Sequence, residues 1–155
     1  MSLLIRENPD HENQPLSPDL QLVETDELER LRIEAGLVSV PREIGPNDLP
    51  QEGGLVESSV DFDKGCYLGQ EVMARLRVTG KARRQSVPVK WSGEDLIATP
   101  IGLYSGSRKL GELRSLVMGK DGGHGIALVN DSAIPVLMSD GLIPKGAISG
   151  KVTSL

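Results

Sequence analysis

Residues 64–71 read Lys-Gly-Cys-Tyr-Leu-Gly-Gln-Glu and hold the only cysteine of this 155-residue chain. A thiol here stands between a lysine–glycine turn and a predicted helix start, with Gln70 and Glu71 just beyond. A neighbouring cation such as Lys64 and a helix N-terminus both favour thiolate over thiol, making a cysteine a better nucleophile and metal ligand. Gly65 and Gly69 let the backbone turn tightly or approach a ligand closely. The same pattern also fits a small buried cysteine at a strand-to-helix junction, with Glu71 as an ordinary first-turn acid.

Two other groups of charges could hold an anion or a polar ring. In Leu-Arg-Ile-Glu-Ala-Gly (31–36), Arg32 could clamp a carboxylate and Glu34 could accept from a ring N–H. Two positions apart on a helix, they face different ways, and both also read as ordinary surface charges. From Met73 to Arg84 the chain carries Arg75, Arg77, Lys81, Arg83 and Arg84 and no acid. Such a stretch suits a carboxylate, a phosphate or nucleic acid, or is a solvated face. It belongs to a wider asymmetry hidden in the net charge of −5. Residues 1–63 carry 4 basic and 15 acidic side chains, and residues 64–155 carry 13 basic and 7 acidic.

Other chemistries find no support. His11 and His124 share no ligand spacing with Cys66, so no zinc site is expected. His124 reads as a turn or strand-start histidine with no carboxylate fixed nearby, Trp91 as a packing residue, and Glu52 as a lone loop acid of little weight. No serine–histidine–acid set, P-loop or dinucleotide fingerprint occurs. The first residues are too polar for a signal peptide, and no apolar run is long enough to span a bilayer. A lone cysteine without an export signal fits a reducing compartment, the cytoplasm or, in a eukaryote, the mitochondrial matrix.

The elements that position these residues divide into three. Residues 1–24 are polar and proline-bearing and read as a flexible lead-in. Residues 25–80 read as an α+β piece. It has a helix over 25–36 with Asp26 and Glu29 as a capping box and Gly36 as its stop, a short strand at 54–62, and a helix over 68–78. Residues 81–155 show short apolar runs punctuated by glycine, predicting an antiparallel β-barrel of five or six strands with a hairpin at 105–111. Ala-Ile-Pro-Val-Leu-Met (133–138) counts among those strands. With 3% aromatic residues, the core must be built from Val, Leu, Ile and Ala.

Leu-Arg-Ile-Glu-Ala-Gly (31–36), Leu-Pro-Gln-Glu-Gly-Gly-Leu (49–55) and the run from Val60 to Lys81 resemble, in order and spacing, the folate-binding YgfZ family. Lys64, Gly65, Cys66, Tyr67, Gly69, Gln70 and Glu71 match its signature. The family is related to the glycine-cleavage T-protein, an aminomethyltransferase. Gly-Glu-Leu-Arg-Ser (111–115) and Gly-Ile-Ala-Leu (125–128) resemble its barrel strands, with Arg114 where threonine is usual.

The resemblance implies a tetrahydrofolate-binding protein that supports assembly or repair of iron–sulfur clusters in client enzymes, including tRNA-modifying ones. On that reading Cys66 is the functional thiol, a transient cluster ligand or redox-sensitive group, while Arg32, Glu34, Arg75 and Lys81 contact folate. A binding and accessory role is expected rather than turnover. The family's first α+β subdomain, with the T-protein's catalytic acid, has no counterpart in this sequence, so this chain alone is expected to bind folate weakly or not at all. Two alternatives stay open: a genuine aminomethyltransferase, and a nucleic-acid-binding barrel resting on Arg75 to Arg84.

Overall fold

The computed structural model describes residues 23–155 apart from 64, 67, 68, 80, 81 and 148. Helix α1 spans Thr25–Glu34, followed by a 3-10 turn at Pro50–Gly53, a short helix α2 at Val56–Ser59 and helix α3 at Gln70–Thr79. The strands are β1 (Arg84–Trp91), β2 (Ile101–Ser105), β3 (Arg108–Gly119), β4 (Gly122–Asn130), β5 (Ile143–Pro144) and β6 (Val152–Ser154). A 3-10 turn at Asp131–Ala133 and helix α4 at Ile134–Ser139 separate β4 from β5.

The six strands form one antiparallel sheet in the order β5-β2-β3-β4-β1-β6. It curls until its edges meet, where Leu142 and Val152 exchange two backbone hydrogen bonds of 2.8 Å. Closure removes the unpaired strand edges that an open sheet would leave to water. Inside lie Val89, Trp91, Leu103, Leu113, Ala127, Val129, Leu142 and Val152, all fully buried, with Leu137 of α4 against them. The α+β arrangement and the barrel-like sheet are as the sequence implied. Trp91 does pack, its indole N–H donating to the Asp95 carbonyl at 3.2 Å. Gly93 lies so close that a Cβ there would sit 2.1 Å from the indole ring.

Strand β4 is buried along both faces. By the two-residue period of a strand, Ala127 and Val129 face the interior while His124, Ile126 and Leu128 face outward. The outer side of β3 and β4 is covered by α1, whose Ile33 is fully buried. This covering accounts for an uninterrupted apolar run rather than an alternating one.

Several boundaries differ from expectation. Helix α1 starts at Thr25 after Glu24, and the Asp26–Glu29 capping box does not form, because Glu29 turns to Arg32 and Arg42 instead. Its C-terminus is as expected. Gly36 takes φ +69°, and the amides of Gly36 and Leu37 donate to the carbonyls of Ile33 and Arg32. The strand predicted over 54–62 is instead helix α2 followed by irregular chain. Ala-Ile-Pro-Val-Leu-Met enters α4 rather than a strand, with Pro135 in the first turn where its missing N–H costs nothing. Helix α3 begins at Gln70, two residues later than predicted.

Candidate functional site

The signature stretch leads from irregular chain into α3. Asp61 Oδ1 accepts from the Asp63 amide at 2.9 Å, turning the chain just ahead of it. Gly65 and Cys66 are both exposed. The alternative of a buried packing cysteine is therefore not what the fold contains: the thiol faces solvent. Gly69 takes φ +92°, a left-handed conformation that admits glycine readily, and redirects the chain into the helix. Gln70 and Glu71 open α3 with exposed side chains, and Glu71 sits in the first turn where a negative charge suits the helix dipole. Buried Met73 ties α3 to the body, its sulfur 3.5 Å from Gln51 Nε2. Lys64, Tyr67 and Lys81 lie outside the described residues. Arg75 is placed on α3, but its side chain lies outside them too.

Arg32 and Glu34 point in different directions, as their spacing dictates. Arg32 donates to Glu43 twice, at 2.9 and 2.7 Å, and to Glu29 at 3.1 Å. Burial alone would lower its pKa, but the hydrogen bonds it donates to Glu43 and Glu29 outweigh that and raise the guanidinium further. Glu34 accepts from Arg30 and lies 3.1 Å from Nδ1 of His124, without hydrogen-bond geometry between them. The histidine expected to lack a nearby carboxylate therefore has one, brought from α1 onto the outside of β4.

Sequence reasoning missed the strongest polar constellation. Glu43, fully buried, accepts from Arg32, from the Ser39 amide at 2.6 Å and from the Ser115 hydroxyl. Glu52, dismissed as a lone loop acid, is buried. It caps the Pro50–Gly53 turn through the Leu49 amide and takes two 2.8 Å hydrogen bonds from Arg84. These contacts, led by the Glu52 hydrogen bonds, hold the Arg84 pKa above its ordinary value. Asp48 Oδ1 bridges Arg84 and Arg114 at 3.1 and 3.2 Å. A β-bulge between Leu113 and Ser115 explains how two successive residues both reach this side. The inserted residue breaks the alternation, so Arg114 meets Asp48 while Ser115 meets Glu43. The acidic segment from Glu43 to Glu52 is thus docked on the basic barrel, and the charge asymmetry was its one trace in the sequence.

Among the described residues, no group of three or more His, Cys, Asp or Glu side chains could hold a metal ion. Two cavities on the barrel are lined by Arg84, Lys109 and Arg114 with their neighbours, and by Lys90, Glu94 and Lys120 with theirs. Neither includes Arg32, Glu34 or Cys66.

No family model matches the chain. It is 38% identical over 80 residues to the iron-sulfur cluster assembly factor IBA57, mitochondrial, of Mus musculus, covering 50% of this chain and 22% of that protein. A homologue of the same factor from Phaeosphaeria nodorum is 35% identical over 86 residues, 54% of this chain and 21% of its own length. The tRNA-modifying protein YgfZ of Colwellia psychrerythraea is 32% identical over 88 residues, 52% of this chain and 26% of its own length. Over about half its length the chain is a homologue of these IBA57 and YgfZ proteins. The matches span about a fifth to a quarter of the curated relatives' length. The crystal structure of a glycine cleavage system aminomethyltransferase T from Bartonella henselae superposes with a TM-score of 0.63. It is 18% identical and covers 81% of this chain and 36% of that one. At that identity the likeness establishes a shared fold. No helix among the described residues is long and apolar enough to cross a membrane.

Proposed function

We propose that this YgfZ-family chain acts in a tetrahydrofolate-linked protein that supports assembly or repair of iron–sulfur clusters in client enzymes, tRNA-modifying ones included. The observation that carries this reading is an exposed Cys66 within the KGCYLGQE signature, in a chain related to named iron–sulfur assembly factors. The cluster is cargo rather than a resident group. One thiol offers one of the roughly four ligands a cluster takes, so the others would come from a client, a second copy or a small thiol. The cytoplasm or, in a eukaryote, the mitochondrial matrix suits this work.

For folate, the residues in hand supply only part of a pocket. Arg32 is held by a buried carboxylate that it would have to abandon, and Glu34 is shared between Arg30 and His124. We assign these two to the scaffold and leave Arg75 and Lys81 as the residues that would meet folate carboxylates. An accessory role fits better than turnover, because the likeness to an aminomethyltransferase reaches the fold and no further.

The test is complementation of a strain lacking its homologue, using the complete gene with wild-type or Cys66→Ala sequence. The readout is activity of a [4Fe–4S] tRNA-modifying enzyme under oxidative stress. A variant equally abundant yet inactive supports the reading, and full rescue contradicts it.

A further inference from the structure

On the outside of the barrel, where β1 begins and β4 ends, Arg84, Lys109, Glu112, Arg114 and Asn130 line a cavity of about 210 Å³. Three cations face it against one carboxylate. Behind them Asp48 and Glu52, both with 4% exposed side chains, grip the two guanidinium groups from the rear. Those contacts use Nε and Nη2 of Arg84 and Nη2 of Arg114, leaving both Nη1 groups outside them. Nε of Arg114 is buried and lies 3.0 Å from Glu112 Oε2, yet makes no hydrogen bond. A buried donor in that condition marks a place for a further acceptor. Lys109, half exposed, stands 3.3 Å from Glu112 Oε1 and can reach the same space.

We infer that this cavity is a binding site for a small oxyanion of phosphate size, held by Arg84, Lys109 and Arg114 with the Asn130 amide alongside. Counting Asp48 and Glu52, the cluster is electrically balanced. Recognition therefore rests on pre-positioned donors rather than on excess charge, and guanidinium groups fixed by buried acids present the planar forks that phosphate oxygens fit. The larger cavity, about 500 Å³, is a built-in control, since its cations are Lys90 and Lys120 and its lining holds no guanidinium fork. None of the lining residues lies in 64–71, so the site is independent of the function proposed for Cys66.

The test is a titration of the full chain with inorganic phosphate at constant ionic strength, balanced with chloride and read by amide and arginine Nε–H NMR shifts. Saturable shifts at Arg84, Lys109, Arg114 and Asn130 are expected, with a Kd of about 1 mM. Arg114→Gln should weaken binding about tenfold, a loss of one charge-assisted contact. Lys109→Gln, which removes a half-exposed ammonium paired with Glu112, should weaken it several-fold and decides the matter if Arg114→Gln fails to fold. A parallel titration with adenosine monophosphate separates sources: tighter binding assigns the site to a phosphomonoester, equal binding to free phosphate. Non-saturating shifts, shifts as large at Lys90 and Lys120, or both variants binding like wild type would overturn the inference.

Discussion

The two faces of the barrel sheet are held by different physics. Its interior is apolar, closing around Trp91, Leu103, Leu113 and Val129. Its exterior, over β1, β3 and β4, receives the acidic segment through Glu43, Asp48 and Glu52, carboxylates almost entirely removed from water. An apolar face gains free energy without direction. Buried ion pairs gain little net energy, because desolvation offsets attraction, but they penalise every wrong arrangement that leaves a charge unpaired. The outer face thus reads as a device for docking one segment in one register, and the inner face as the source of stability.

The largest test of that contrast is Glu43→Ala, which strands the guanidinium of Arg32, the Ser39 amide and the Ser115 hydroxyl. It should cost about 3–5 kcal/mol by denaturant unfolding, the range for removing one partner of a buried pair. Replacing both members, with Arg32→Met and Glu43→Leu together, should recover the part of that loss due to the stranded charge, leaving the share of the Ser39 amide and the Ser115 hydroxyl. If the double variant is as unstable as the single one, the outer face is a stabilising element in its own right and the contrast fails.

A smaller effect is expected at the more open Arg84–Glu52 pair, where Arg84 is 37% exposed. A double-mutant cycle should give a coupling of about 1 kcal/mol that shrinks with added salt. Coupling as large as that at Glu43 would mean burial of one partner alone sets the strength.

Acid should act on the outer face first. Hydrogen bonds from Arg32, with help from Arg42, hold the Glu29 carboxyl below its ordinary 4.5 despite some burial. A depressed folded value means its stabilisation is complete above about pH 4.5 and is lost as pH falls through that lower value. Tm should stay level down to that point and then decline, and Glu29→Gln should flatten part of the decline. A decline beginning near neutrality would contradict this assignment.

Local signals in the sequence carried the local structure. Gly36 stops α1, and Gly106, at φ +59°, turns the β2–β3 hairpin where Ser-Gly-Ser foretold it. Short apolar runs were harder, because Ile134–Ser139 has the composition of a strand, and its helix follows from the position of Pro135 and from packing on β6. The buried charges were illegible one by one. Glu52 meets Arg84 across 32 residues, and Glu43 meets Ser115 across 72, so no spacing rule links them. The residue types of the signature point to chemistry, but whether Cys66 is covered or open depends on how α3 sits, which no local pattern sets.

Native-state alkylation of Cys66 tests whether the thiol is open to solvent, as the fold has it. The rate with iodoacetamide should match that of the denatured chain within about tenfold and should not change when unfolding is suppressed, as expected of an accessible thiol outside the cooperative core. A rate about a hundredfold slower that tracks global unfolding would place Cys66 inside the fold and contradict its assignment as the working thiol.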